Sequence, residues 1–374
     1  MKIKEDIREN DIEKKFNNLL NNYIINQNII KNNLKRDILD YQTYVKSHIK
    51  KFSEVNNKIL ERIQNNINKI NSSYKAKLYG SRATNLCLMW SDIDIVIYHE
   101  KKNRKRIENE ISKDIEELEE MDNFVEEKFD LLDKLNKILN NDILFVENIK
   151  YLNKAKVPII KIKTTKEYNN TMIDITLQTK AHYGLRCVKL IKKFLKEYES
   201  LEPLLFCLKT ILKISELNDP YNGGLSSYAL ILMIVNFFEI QKRMNKNINK
   251  DRIGEIFYDF LFYYGGRKDS NFIDLNNIKN YSEFINKNNT CLIYISDPLD
   301  KNNNVSKSSF KFIEVKFIFL MSLQILNEPC FCQCHYLKKL DFNLNTCSFE
   351  HNYLNKIFFG LKRGKINSCL FDNN

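Results

Sequence analysis

Residues 92–98, Asp-Ile-Asp-Ile-Val-Ile-Tyr, alternate carboxylates with branched apolar side chains, and no other stretch constrains the fold as tightly. Branched and aromatic residues at period two specify a strand. Successive strand side chains point to opposite faces, so Ile93, Ile95 and Ile97 share one face while Asp92 and Asp94 share the other. The isoleucine face is expected to bury. Two carboxylates at that range repel, and one stays protonated unless a cation shares them. The chain therefore calls for a sheet with a core on one face and a positive partner on the other.

The neighbouring segments extend this picture. Residues 75–79 (Lys-Ala-Lys-Leu-Tyr) read as a strand running into Gly80-Ser81, and residues 143–152, 157–165 and 172–178 read as three more strands. Asp174 lies in the last of these between apolar neighbours. If its strand adjoins that of Asp94, three aspartates meet on one sheet face. Hard divalent cations, Mg²⁺ or Mn²⁺, suit such oxygen donors. Three carboxylates can hold two ions ~4 Å apart, an arrangement that serves in-line phosphoryl transfer. Gly80 would let the backbone approach a phosphate closely, and the Ser81 hydroxyl could donate to it.

Organisation follows from periodicity. Val55, Ile59, Ile63, Ile67 and Ile70 mark an amphipathic helix over 52–70. Residues 101–128 are almost wholly charged and read as a solvated helix or mobile insertion. From 184 onward the period becomes helical, with five apolar-faced helices interrupted by a polar loop at 296–310. The expected division is an N-terminal helical segment, 1–51, with its first ~30 residues poorly ordered and the remainder packing on the helical domain. A catalytic domain follows over 52–182, a helical domain over 183–327, and a divergent tail over 328–374. The fold class is α+β, a mixed sheet with flanking helices followed by a mostly helical domain.

Composition narrows the function. At 374 residues and 43% hydrophobic the chain can bury two cores. No apolar run approaches the ~20 residues of a membrane span, and the charged start lacks the apolar stretch of a signal peptide. A soluble, intracellular protein with no membrane partner is expected. A net charge of +12 favours a polyanionic partner such as nucleic acid, although Asn, Lys and Ile abound throughout. Nine cysteines, an odd count, argue against a disulfide framework. Cys330, Cys332, Cys334, His335, Cys347 and His351 cluster late, but C-x-C-x-C-H departs from the usual zinc spacing. They read as reduced residues of the tail.

The stretch 79–97, together with 217–238, 253–265 and 297–319, resembles the template-independent RNA poly(A) polymerases and terminal uridylyltransferases. These belong to the DNA polymerase β-type nucleotidyltransferase superfamily. The nearest look is the poly(A) polymerase of nuclear RNA surveillance complexes. The resemblance implies that Asp92, Asp94 and Asp174 are catalytic and hold two Mg²⁺ or Mn²⁺ ions, with ATP as substrate. It implies that Gly80, Ser81, Lys209, Lys213 and Ser227 contact phosphates and that Tyr228 stacks on the base. Lys209 and Lys213, at i and i+4, share one helix face. Uridylyltransferases carry a uracil-reading histidine where this chain has Asn303, which favours AMP addition to RNA 3′ ends. Asn303 and Asn304 would face the base edge. The alternatives are a uridylyltransferase and an inactive scaffold of an RNA-processing complex. Two positions depart from the family: Ser306-Lys307 replaces Gly-Arg, and Cys187 stands where many uridylyltransferases have a ribose-binding asparagine. The implied partners are an RNA 3′ end, a zinc-knuckle RNA-binding protein and a helicase. The implied compartment is the nucleus, otherwise the cytoplasm.

Overall fold

The structure, a computed structural model, describes residues 2–99, 124–155, 157–178, 184–266, 272–273, 275, 293–327 and 352–371, and no side chains before residue 28. Most of the charged stretch 101–128 and the whole cysteine–histidine cluster at 330–351 lie outside the described residues. The order expected to be lacking in the first ~30 residues concerns a segment whose side chains are almost all outside them too. Two compact units are present: Tyr44–Lys196, and Met1–Thr43 with Glu197–Asn374.

Residues 44–196 build a sheet unit. Helix α1 (Lys2–Ile70) is continuous, without the break anticipated near residue 51. Its last turns put Ile59, Ile63 and Ile67 fully inside. Strand β1 (Tyr74–Tyr79), the short helix α2 (Gly80–Thr84) and strand β2 (Ile93–His99) follow. Helix α3 (Phe124–Asn140) leads to β3 (Val146–Leu152), β4 (Ile159–Thr164) and β5 (Met172–Leu177), and α4 (Gly184–Glu197) ends the unit. The five strands run in the order β1-β2-β5-β4-β3. Only β2 and β5 pair in parallel; their neighbours are antiparallel.

One face of this sheet is a core. Ile93, Ile95 and Ile97 pack with Ile160, Ile162, Ile173 and Ile175, roofed by the α1 isoleucines and by Leu131, Leu132, Leu135 and Leu139 of α3. Each such side chain, fully buried, contributes about 1.5–3 kcal/mol. Arg62 closes one end: its guanidinium forks onto Asp142 at 2.8 and 2.6 Å and donates to the Tyr168 hydroxyl at 3.0 Å. The strand anticipated from residue 143 begins at Val146, and Ile143 and Leu144 stand exposed in the preceding turn.

The other unit is mostly helical. Helices α5 (Leu201–Ile214), α6 (Ser227–Arg243), α7 (Ile253–Gly266), α8 (Phe312–Asn327) and α9 (Tyr353–Phe371) are rich in buried apolar residues. Phe237 of α6, Phe260 and Tyr264 of α7 and Phe319 of α8 stack in a chain of tilted and edge-on rings. Residues 30–43 of α1 pack here: Tyr41 bonds Thr210 at 2.6 Å, Lys35 pairs with Asp251 at 2.8 Å, and Gly254 lies against the Lys31 carbonyl. Asp37 accepts from the Tyr353 amide at 2.6 Å and so caps α9.

The polar loop anticipated at 296–310 is in part a hairpin. Strands β7 (Tyr294–Asp297) and β8 (Asp300–Asn304) pair antiparallel, and β6 (Phe272–Ile273) adds in parallel to β7. Residues with little strand propensity are held in place by side-chain bonds. Asn304 Oδ1 accepts from the Ile295 amide at 3.1 Å and the Ser306 amide at 3.0 Å, with the Ser306 hydroxyl 2.8 Å away.

Candidate active site

The core face of the sheet leaves its other face to polar residues. Register aligns Tyr79 with Asp94, Asp94 with Asp174, Asp174 with Lys161, and Lys161 with Lys150. In a ladder, paired residues point to the same side. Asp94 and Asp174, far apart in the chain, are therefore side by side because β2 and β5 are parallel neighbours.

Each carboxylate in this row is held differently. Gly80 adopts φ +61°, a left-handed conformation, directly beside Asp94. A methyl built there would overlap the Asp94 Oδ2 and come within 2.9 Å of its Cγ. The glycine thus gives Asp94 the space it occupies. On Asp174, Lys161 donates from Nζ to Oδ2 at 2.6 Å. The Asp174 side chain is 16% exposed and Lys161 40%. Tyr79, beside Asp94, has its phenol pushed well above its ordinary pKa, first by burial and then by the Asp94 and Asp174 charges. The row therefore sets two carboxylates side by side in a partly desolvated setting, with a lysine ammonium on the second.

Asp92 is different. Strand β2 begins at Ile93, and Asp92 is exposed just ahead of it. Among the described residues, no three His, Cys, Asp or Glu side chains are gathered as an ion would need. The expected meeting of three aspartates is realised for two; the third stands just ahead of the ladder. Even so, the donor set fits a hard divalent cation: paired carboxylates, partly buried, with a lysine ammonium already seated on one of them. Asp92, Asp94 and Asp174 are the residues that would hold it.

The nucleotide residues anticipated in the helical unit fall into two groups. Lys209, half-buried, and Lys213, exposed, lie near the end of α5. Ser226 caps α6 by accepting from the Ala229 amide at 3.0 Å, which leaves Ser227 exposed as the first helical residue. The segment after the hairpin is tied to this helix start: Ser309 Oγ donates to the Gly224 carbonyl and the Lys311 amide to that of Gly223, both at 3.0 Å. Asp297, 3% exposed, then collects Tyr228, Asn303 and its own turn. The Tyr228 hydroxyl donates to Oδ1 at 2.9 Å, the Leu299 amide to Oδ1 at 3.0 Å, and Asn303 Nδ2 to Oδ2 at 3.0 Å. Asn304 turns its oxygen into the hairpin backbone.

Two contributors were not anticipated. Lys161 lies in an alternating strand, but its pairing with Asp174 follows from a hairpin register that periodicity does not reveal. Arg82 stood within the Gly80-Ser81 segment without any spacing to mark it.

Over residues 34–196 the chain matches the family model described as Poly(A) RNA polymerase, mitochondrial-like, central palm domain. Over that stretch it resembles the central palm domains of poly(A) RNA polymerases. The Saccharomyces cerevisiae protein named Poly(A) RNA polymerase protein 2 is 25% identical over 324 residues, covering 84% of this chain and 51% of the relative. A Drosophila melanogaster poly(A) RNA polymerase protein, Trf4-2, named as inactive, is 26% identical and covers 75% of this chain and 65% of itself. The chain thus spans about half the length of the yeast relative. The solved polymerase core of TRAMP, a RNA surveillance complex, superposes with TM-score 0.59 at 22% identity, over 79% of this chain and 86% of that one. The Cid1 poly(U) polymerase gives TM-score 0.59 at 17% identity, over 80% and 95%.

Proposed function

We propose that the protein adds AMP from ATP to RNA 3′ ends without a template, releasing pyrophosphate. The observation that carries this reading is the in-register pair Asp94–Asp174 with Asp92 just ahead of it, beside Gly80, where an added Cβ would overlap the Asp94 carboxylate. When bound, divalent ions would activate the RNA 3′-hydroxyl and neutralise the leaving pyrophosphate. The chain's own residues do the rest. Asp92, Asp94 and Asp174 hold the ions, and the Gly80-Ser81 backbone lies against the triphosphate. Lys209, Lys213 and Ser227 serve the phosphates, and Tyr228 offers the base a ring to stack on, a contact that any base accepts.

Selection of adenine has a geometric support. Asn303 donates from its NH₂ to Asp297 Oδ2 at 3.0 Å. Its oxygen is then the end that faces elsewhere, an acceptor suited to the adenine N6 amino group and unsuited to the uracil O4. The relatives named poly(A) RNA polymerases agree with this choice, while the likeness to Cid1 keeps UTP as the second reading. Reading the RNA surveillance core across suggests a complex with RNA-binding partners, and a nuclear setting.

A labelled oligonucleotide incubated with each NTP and Mg²⁺ tests the reading. Extension with ATP above the other three supports it. Preference for UTP moves the protein to the uridylyltransferases. No extension with any NTP makes it a scaffold, as the name of the Drosophila melanogaster relative allows. Asp92→Ala should abolish extension while leaving the melting temperature unchanged within a few degrees.

A further inference from the structure

Asp94 and Asp174 owe their placement to the sheet, but Asp92 does not. The β2–β5 ladder begins at Ile93 with Ile173, and Asp92 precedes it. The loop 85–91 delivers the chain to Asp92. That loop leaves α2 through Asn85, in a left-handed conformation at φ 59°, and its Leu86 amide returns to the Ser81 carbonyl at 2.9 Å. It closes on itself at its far end: the Ser91 amide bonds the Leu88 carbonyl at 3.0 Å, and the Leu88 amide bonds Ser91 Oγ at 2.9 Å. The turn is seated on the unit by buried Leu86, Cys87 and Leu88 and by the Tyr44 hydroxyl 3.9 Å from Met89 Sδ, and a charged group holds its last carbonyl. Arg82 Nη2 donates to the Ser91 carbonyl at 2.6 Å.

That carbonyl belongs to the peptide plane that carries the Asp92 nitrogen and Cα. Holding the oxygen orients the plane, and with it the start of Asp92. Arg82 is an unusual choice for a merely structural tie. It is 9% exposed, its Nε is buried without a hydrogen-bond partner, and its guanidinium lies 5.9 Å from the Phe52 ring. Among the described residues no carboxylate pairs with it. A buried charge lacking an anionic partner is unfavourable, and an apolar side chain in so short a helix would be less so.

We infer that Arg82 is a positioning residue for the reaction, setting Asp92 through the Ser91 carbonyl so that the carboxylate outside the sheet lines up with the two inside it. The inference rests on the proposed nucleotidyl transfer and concerns how its ion site is completed. Groups behind metal ligands typically change ion affinity or activity by about 10- to 100-fold, and that is the range expected here.

The test uses the full chain with Arg82→Met, close in length and uncharged, and Arg82→Gln as a second neutral variant. Mn²⁺ binding is measured by electron paramagnetic resonance without nucleotide or RNA, alongside kcat and KM for ATP. Arg82→Met should weaken Mn²⁺ binding and lower kcat by roughly tenfold or more, with KM for ATP and the melting temperature little changed. Arg82→Lys, which can still donate to the carbonyl, should recover part of the loss. In an Asp92→Asn background, Arg82→Met should change Mn²⁺ affinity no further, because Arg82 acts through Asp92. Wild-type Mn²⁺ affinity and kcat in whichever neutral variant folds would overturn the inference, as would a full additional loss in the Asp92→Asn background. A wild-type protein that binds Mn²⁺ but extends RNA with no NTP defeats the proposed function and leaves the positioning role to be decided by the binding data alone.

Discussion

Gly80→Ala is the perturbation whose effect the structure defines most closely. Two separate penalties apply. A non-glycine residue in the left-handed region costs roughly 1–2 kcal/mol, and Gly80 sits at φ +61°. The added methyl also meets the Asp94 side chain, with Cγ at 2.9 Å and Cβ at 3.3 Å, so the carboxylate must rotate away. An off-rotamer side chain costs about 0.5–1.5 kcal/mol. Together these give about 1.5–3.5 kcal/mol. At roughly 2–4 °C per kcal/mol for a unit of this size, the melting temperature should fall by about 3–14 °C. The effect on chemistry is larger in proportion, because misplacing a reacting group by about 1 Å can slow a reaction ~100-fold.

The two penalties separate in a double-mutant cycle. In an Asp94→Ala background the carboxylate is gone, and Gly80→Ala should cost only its backbone share, about 1–2 kcal/mol. Urea melts of the four proteins give the coupling, and 3′ extension of a labelled RNA by wild type and Gly80→Ala gives the activity. Equal costs in both backgrounds, or wild-type extension by Gly80→Ala, would refute the claim that the glycine makes room for Asp94.

Other expectations follow from the same geometry. Asn303→His removes the amide that Asp297 orients and should raise the UTP-to-ATP incorporation ratio, read by competition between the two nucleotides. Asp297→Asn leaves one of Tyr228, Asn303 and Leu299 facing a donor instead of an acceptor, and should weaken base discrimination more than it lowers maximal rate. Burial raises the Asp37 carboxyl pKa above 3.8, against the Tyr353 and Leu354 amides and Arg36, which lower it, while Asp40 adds to the rise. With the folded value above the unfolded one, its contribution is full below the unfolded pKa and is lost as pH rises through the folded pKa. Asp37→Asn should remove that slope from urea melts taken upward from about pH 4.

What could be read from the sequence, and what could not, divides along physical lines. Period two in 92–98 announced both the burial of Ile93, Ile95 and Ile97 and the shared side of Asp94, because alternation is a local property. The helical isoleucines 59, 63 and 67 were legible for the same reason. The hairpin 294–304 was not: its strand residues are aspartate, lysine and asparagine, and it is held by the Asn304 side chain rather than by propensity. Lys161 and Arg82 escaped notice because their roles lie in who stands opposite, which depends on register and on a loop folding back. Asp92 shows the limit from the other side, since alternation alone does not tell that it stands just ahead of the ladder.

The parallel pairing of β2 with β5 has a consequence for how such a chain can change. Asp94 and Asp174 are the two ends of one closed excursion that contains α3, β3 and β4. Lengthening a flexible loop within it adds only ~0.6 kcal/mol of closure entropy per doubling. Material can be gained or lost between β2 and α3 while the two carboxylates keep their separation. A change of charge or length there leaves untouched the register that places the two carboxylates.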